Sequence, residues 1–318
     1  MTFKFNILAL LLCSTCLNAQ NREILGEYKV GIIGRDKEDT IYQAAVEGGK
    51  TAALELSQKY SIDVELLVLT PDKTQGEAQA TSLTELFILD ADGLVISPQD
   101  NESVRASVNF ALRQKQEVVY FERQLIGIDP LAAIVADEAE AGRMAGREIL
   151  KKLPSRGRVA ILTSLDPSPQ HVQRLEGLRE VLGFRRIESV ISCEPNYQSA
   201  IKAINTAEEE DRNDHISGWV FLEDWPLLGL PALPWDPKRM PAVAIQSSPS
   251  AFMYVDQGYL DALIVHPYFK WGYSSVVTIV EQLHNGTIPE EAIIRTAPRV
   301  VDRTNAKEYR EDWLKWLK

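Results

Sequence analysis

Val118-Val119-Tyr120-Phe121-Glu122-Arg123-Gln124 is an apolar run that ends abruptly in an acid, a base and an amide. Consecutive β-branched and aromatic residues read as a strand buried on both faces, as in a parallel sheet covered by helices. Open sheets of that kind bind ligands beyond the carboxyl ends of their strands, so the Glu122-Arg123 step marks a candidate site. A second run, Leu263-Ile264-Val265, closes in the same way on His266-Pro267-Tyr268.

Before the first run, short apolar stretches alternate with amphipathic ones. Val30-Gly31-Ile32-Ile33 is followed by Ile41, Ala45, Gly48, Ala52 and Leu56, spaced as on one helical face. Strands are expected at 64–69 and 93–97 and helices at about 74–89 and 103–114, with Pro98 and Asp100 marking the last turn. After the run, a second, similar set is expected to open with a strand at 132–136 and a helix at 138–153. Strands at 158–163, 187–191, 219–222 and 243–245 and helices at about 170–182 and 199–212 continue it. Beyond the strand at 263–265, an apolar helix at about 271–283 is stopped by Asn285-Gly286. Trp313 and Trp316, at helical spacing, predict a docked terminal helix. Pro226, Pro231, Pro234, Pro237 and Pro241 break the rhythm and predict a loop or a broken helix at about 229–238. The fold class is α/β, with two Rossmann-like lobes built on parallel sheets.

With 318 residues the chain has length for two cores and little more. A net charge of -11 argues against a general polyanion binder, which draws on excess Lys and Arg. The first nineteen residues have a basic start, an apolar stretch from Ile7 to Leu12 and a small residue, Ala19, before Gln20. They read as a cleaved secretory signal peptide, which places the mature chain in the periplasm. Cys13 and Cys16 raise the alternative of a lipid anchor, but Leu12 and Thr15 precede them where a small residue is expected. After cleavage only Cys193 remains, so no internal disulfide is expected, and an inert buried thiol fits it better than a nucleophile.

The loops at the strand ends and the strand–helix order resemble the sugar-binding family of type I periplasmic binding proteins, the ribose-binding-like group, over nearly the whole mature chain. The resemblance implies two hinged lobes, 27–127 with 267–298 and 128–266 with 299–318, first joined through Ile126-Gly127-Ile128-Asp129-Pro130. It implies a monomer that closes on a small carbohydrate or polyol. The closed form would deliver that ligand to an ABC transporter permease or present itself to a membrane sensor such as a histidine kinase. No cofactor, metal or nucleic-acid partner is expected.

Carried onto single residues, the resemblance makes Glu122 a hydroxyl acceptor and Arg123 a donor at the family's Asp-Arg step, one methylene longer here. Asp39-Thr40-Ile41-Tyr42 takes the place of an Asn-Pro-Phe-Phe segment. Tyr42 would be a stacking ring and Asp39 a replacement for an amide, against the plainer reading of Asp39 as a helix cap. Arg35 adds charge at the same mouth. Glu223-Asp224-Trp225 resembles an Asn-Asp step, with Asp224 the hydroxyl acceptor and Trp225 a cover. Gln246 stands where an Asp is frequent, and His266 where a Gln is. Val172 occupies the position of a family arginine, so His171 or Gln170 would substitute, and Arg174 is expected to be structural. These departures argue against plain ribose specificity.

The rival enzymatic readings are weaker. Lys29-Val30-Gly31-Ile32-Ile33-Gly34 resembles the start of a dinucleotide fingerprint, but Arg35, Asp36 and Lys37 stand where further glycines are needed. His171, His215, His266 and His284 show no close metal spacing, and no Gly-x-Ser-x-Gly elbow occurs. A DNA-binding regulator would need a basic helix-turn-helix where the leader lies.

Overall fold

The computed structural model describes residues 24–72, 76–229, 233–245 and 248–317. The expected leader, with Cys13 and Cys16, and Gln246 lie outside the described residues. The chain begins with β1 (Glu27–Ile33), α1 (Thr40–Tyr60), β2 (Asp63–Val68), α2 (Gly76–Ile88), β3 (Gly93–Ile96), α3 (Glu102–Arg113) and β4 (Glu117–Glu122). It continues through β5 (Ala132–Ala136), α4 (Glu138–Leu150), β6 (Arg158–Ser164), α5 (Pro169–Leu182), β7 (Ile187–Cys193), α6 (Tyr197–Glu210) and β8 (Ile216–Phe221). Then come β9 (Ala242–Ile245), α7 (Ala251–Gln257), β10 (Ala262–Val265), α8 (Tyr268–Asn285), β11 (Ile293–Thr296), β12 (Arg299–Val301) and α9 (Ala306–Trp316).

Two six-stranded sheets result, ordered β11-β5-β4-β3-β1-β2 and β12-β10-β9-β8-β6-β7. The first is parallel throughout. The second is parallel except at β12, which runs antiparallel to β10. Successive side chains of a strand serve opposite faces. In the first sheet Ile32, Val95, Val119 and Phe121 pack toward α1 and α8, while Ile33, Ile96, Val118 and Tyr120 pack toward α2 and α3. In the second sheet Ile161, Val220 and Val243 meet α4 and α5, and Leu162, Trp219 and Phe221 meet α6 and its neighbours. Covered on both faces, the central strands read as unbroken apolar runs.

One expectation is corrected. The strand at 132–136 does not open the second set: β5 pairs with β4, Phe121 against Ile134, and lies inside the first sheet. Residues 123–131 return the chain for a parallel neighbour without an intervening helix, so the alternation that suggested a new set is interrupted there. The chain leaves the first sheet only after β5, comes back between β10 and α8, and passes to the second sheet again between β11 and β12. The proline-rich segment holds a single 3-10 turn, Trp225–Leu227, and no regular helix among its described residues. The terminal helix docks as expected, with Trp313 buried. Cys193 is free and buried, and burial followed by the Glu194 charge pushes its thiol up.

Candidate functional site

Because strands of a parallel sheet all end on one side, β1, β3 and β4 deliver their following residues to one edge. Glu122 is the hub of that edge. Its Oε2 accepts from Ser97 Oγ at 2.6 Å and from Tyr42 Oη at 2.7 Å. Its Oε1 accepts from Arg35 Nη2 at 3.0 Å and Arg123 Nη2 at 3.1 Å. Arg35 Nε also donates to the Tyr42 hydroxyl. Glu122 holds φ at 65°, a left-handed backbone that costs a non-glycine residue energy unless its surroundings impose it. Four side-chain donors on one carboxylate supply that constraint. Burial would raise the Glu122 pKa, but the two guanidiniums and the Ser97 and Tyr42 hydroxyls hold it down to about 2.

Tyr42 is only 2% exposed, its ring edge-on to Phe121 at 6.2 Å with the Arg35 guanidinium over its face at 5.4 Å. One face of the ring is thus taken by Arg35. Burial, then the Glu122 charge, pushes its hydroxyl pKa up, so it stays a proton donor. Asp39 caps α1, accepting from the Ile41 N–H at 3.0 Å. Burial raises its pKa against the pull of that amide.

The tips of the second sheet carry another ion cluster. Arg174 donates to both oxygens of Glu138, at 2.6 and 3.0 Å, and to Glu223 Oε1 at 2.7 Å. Its Nη1 also donates to the Leu222 carbonyl at 2.8 Å. His266 Nε2 lies 3.1 Å from Glu138 Oε2, and His171 Nε2 lies 3.1 Å from Glu223 Oε1. His171 Nδ1 accepts from the Ser168 N–H at 3.1 Å, closing a capping box at the start of α5. Burial opposes ionisation of Glu138, but Arg174 and His266 hold its pKa well below the usual carboxylate range. Arg174 thus has the structural role expected of it. Val172, in the position of the missing arginine, faces solvent.

Asp224 stands apart from these pairs. It is 7% exposed and accepts from the Ser248 N–H at 2.5 Å. Burial, then the neighbouring Glu223 charge, raises its pKa to about 6, and Asp39 at the start of α1 adds to the rise. Trp225 is half-buried with its ring 5.7 Å from that of His171. His266 is 1% exposed and stacked on Trp271, and its Nδ1 has no partner among the described residues.

The two edges face one cavity of about 260 Å³, whose lining includes Glu122, Arg123, Gln124, Glu138, Gln170 and Gln173. Larger hollows of about 630 and 830 Å³ lie away from the strand tips, one beside β7 and α6 and one around Lys152 and Asp261. The structure brings Arg35, Tyr42, Glu122 and Arg123 into one hydrogen-bonded group, and His171 and His266 into another through Glu223, Glu138 and Arg174. Asp39, Asp224 and Trp225 border these groups without joining them. Ser97 and Glu138 in these groups, and Arg295 in the cavity lining, were not singled out from sequence. Ser97 directly follows β3, and Glu138 opens α4 two positions after β5, so each lies close to a strand end, the signal that exposed Glu122. Among the described residues no group of His, Cys, Asp or Glu could hold a metal ion, and no helix is long and apolar enough to cross a membrane.

A pair of α/β sheets whose loops converge on a shared cavity defines a two-lobed binding protein of the periplasmic type. A family profile described as periplasmic binding protein domain matches residues 30–287, and the chain belongs to that family. The ribose import binding protein of Salmonella typhimurium is 22% identical over 142 residues, 45% of this chain. The chain spans about half the length of that curated relative, 48%. Among solved structures, the periplasmic ribose ABC transporter protein of Conexibacter woesei superposes with a TM-score of 0.78 at 18% identity, over 92% of this chain and 98% of that one. The arabinose-binding protein of Geobacillus stearothermophilus gives 0.78 at 19% identity, over 89% and 99%.

Proposed function

We propose that the chain captures a small carbohydrate or polyol between two lobes and delivers it, unaltered, to an ABC-type permease. The observation that carries this reading is the 260 Å³ cavity lined from both sets of strand tips. The lobes would be 24–137 with 267–296 and 138–266 with 299–317, hinged where the chain passes between sheets. Glu138 and His266, in contact across two of those passages, would hold the hinge together. Ligand would first contact one lobe, and contacts to the other would favour closure by their differential affinity. Arg123, which lines the cavity, would touch the ligand directly, and Asp224, which lies outside that lining, would reach it on closure, while Glu122 holds Arg35 and Arg123 in place. The curated relative imports ribose by its name, and the family supports a location outside the cytoplasm.

Isothermal titration of the mature protein against monosaccharides and polyols tests this. Binding is expected, with Arg123→Ala and Asp224→Ala each weakening it about 10- to 100-fold, the loss of a charge-assisted contact or two. Retained affinity in both variants would remove the site assignment. Conversion of the bound compound would remove the reading as a binding protein.

A further inference from the structure

The carboxylates that line the inter-sheet cavity are already occupied. Asp100 holds Arg105 at 2.5 Å, Glu122 holds Arg35 and Arg123, and Glu138 holds Arg174. Glu223, the second acid on Arg174, does not line the cavity. Acceptors so taken have little left to offer a ligand hydroxyl. The groups with capacity to spare are donors. Arg123 spends one nitrogen on Glu122, and its Nε is buried without a partner. Arg295, on β11, lines the same cavity and makes no ion pair or hydrogen bond among the described residues. Gln124, Gln170 and Gln173 are likewise uncommitted and can hydrogen-bond hydroxyls in either sense.

Closure of the lobes over a neutral ligand would remove water from Arg295, which makes no ion pair among the described residues, and supply no opposite charge in return, which is unfavourable. An anionic group on the ligand removes that cost and gains a bidentate contact. Resting on the closing-cleft reading above, we propose that the ligand is a sugar acid, an aldonate or uronate. Its carboxylate is received by Arg295 and Arg123, and its hydroxyls are held by the three glutamines. The position left apolar by Val172 is then offset by cations supplied from the other sheet.

Calorimetric titration with D-gluconate, D-galactonate, D-mannonate and the matching uronates, each beside its neutral aldose and alditol, tests the proposal. At least one acid is expected to bind about tenfold or more tightly than its neutral parent, with affinity falling as salt rises. Arg295→Gln should weaken that acid about 10- to 100-fold and change the neutral parent by less than about threefold, while Arg295→Lys, which keeps the charge but not the fork, restores only part of the loss. Because Arg295 is exposed, both variants should melt like the parent. Neutral sugars binding as tightly as the acids, or an Arg295→Gln variant with unchanged acid affinity, overturns the sugar-acid proposal and leaves the closing cleft standing. Failure of both classes to bind overturns both.

Discussion

Glu122 ends a strand of one sheet and Asp224 follows a strand of the other, yet their surroundings drive the two acids in opposite directions. Glu122 has four donors and a pKa of about 2; Asp224 has, among the described residues, only Ser248 to donate to it, a carboxylate neighbour and a pKa of about 6. A carboxyl whose folded pKa is raised stabilises the fold below its ordinary pKa of 3.8, and that contribution is lost as pH rises through about 6. The rise corresponds to about 3 kcal/mol of cost once the group is ionised. Asp224→Asn should therefore gain stability relative to the parent between pH 4 and 7, by up to about 3 kcal/mol in urea unfolding, while weakening ligand binding. A stability difference that does not change over that range would show that Asp224 ionises freely in the fold. Little of this contrast was legible in the sequence. The Glu122-Arg123 step was visible because it interrupts an apolar run. Its bond to Arg35, 87 positions away, depends on β1 and β4 ending on one edge, which no local pattern encodes. Tyr42 was read as a stacking ring although Arg35, which covers one of its faces, lies only seven positions away, because spacing along a loop does not show which way its side chains turn.

Helix packing repeats between the two halves. A Cβ on Gly48 of α1 would lie 1.9 Å from the Phe269 carbonyl oxygen of α8, and one on Gly272 of α8 would lie 1.8 Å from that of Ala45. In the other half, Gly142 of α4 and Gly177 of α5 stand in the same reciprocal relation to Arg174 and Ala139, at 2.0 and 1.9 Å. Backbone cannot yield as a flexible side chain does, so Gly48→Ala and Gly177→Ala should each cost about 1–3 kcal/mol or more by thermal and urea unfolding. Near-parental stability would show that the helices can separate. Element by element, the sequence exposed the strongly periodic helices and the buried strands well. It misplaced β5 because a strand covered on both faces carries no mark of which sheet it joins. It also missed α7 and β11, both too short to show a period. The docked α9 was readable from its tryptophans. Trp313 is buried against Tyr268 of α8, while Tyr309 packs on Phe252 of α7, so the helix touches elements of both sheets. Trp313→Ala should cost about 3–5 kcal/mol, the range for removing a buried large aromatic. A shift well under 1 kcal/mol in urea unfolding would mean that α9 is not integral to the core.

For the molecule as a whole, two electrostatic effects of opposite sign compete as pH falls. With a net charge of -11, mild acidification relieves self-repulsion and should favour the compact state. Against that, each sheet edge contains a carboxylate held below its ordinary pKa: Glu122 at about 2 through Arg35 and Arg123, and Glu138 through Arg174 and His266. A depressed folded pKa contributes stability that is fully present above the ordinary value of 4.5 and lost as pH drops toward the folded value. For Glu122 alone the shift is worth about 3 kcal/mol, more than the general repulsion of well-separated surface charges under physiological salt. Stability measured by urea unfolding should thus rise modestly from pH 7 to 5, as Asp224 takes up its proton and self-repulsion eases, and fall steeply from pH 4.5 to 2. Glu122→Gln should be less stable at neutral pH and should lose less on acidification, by roughly the same 3 kcal/mol. The two curves would then converge at low pH, because there the parent carboxyl is protonated and no longer holds the arginines. Parallel curves across the whole range would mean that the Glu122 network gives the folded state no net stabilisation, and with it would go the argument that Glu122 fixes Arg35 and Arg123 before a ligand arrives.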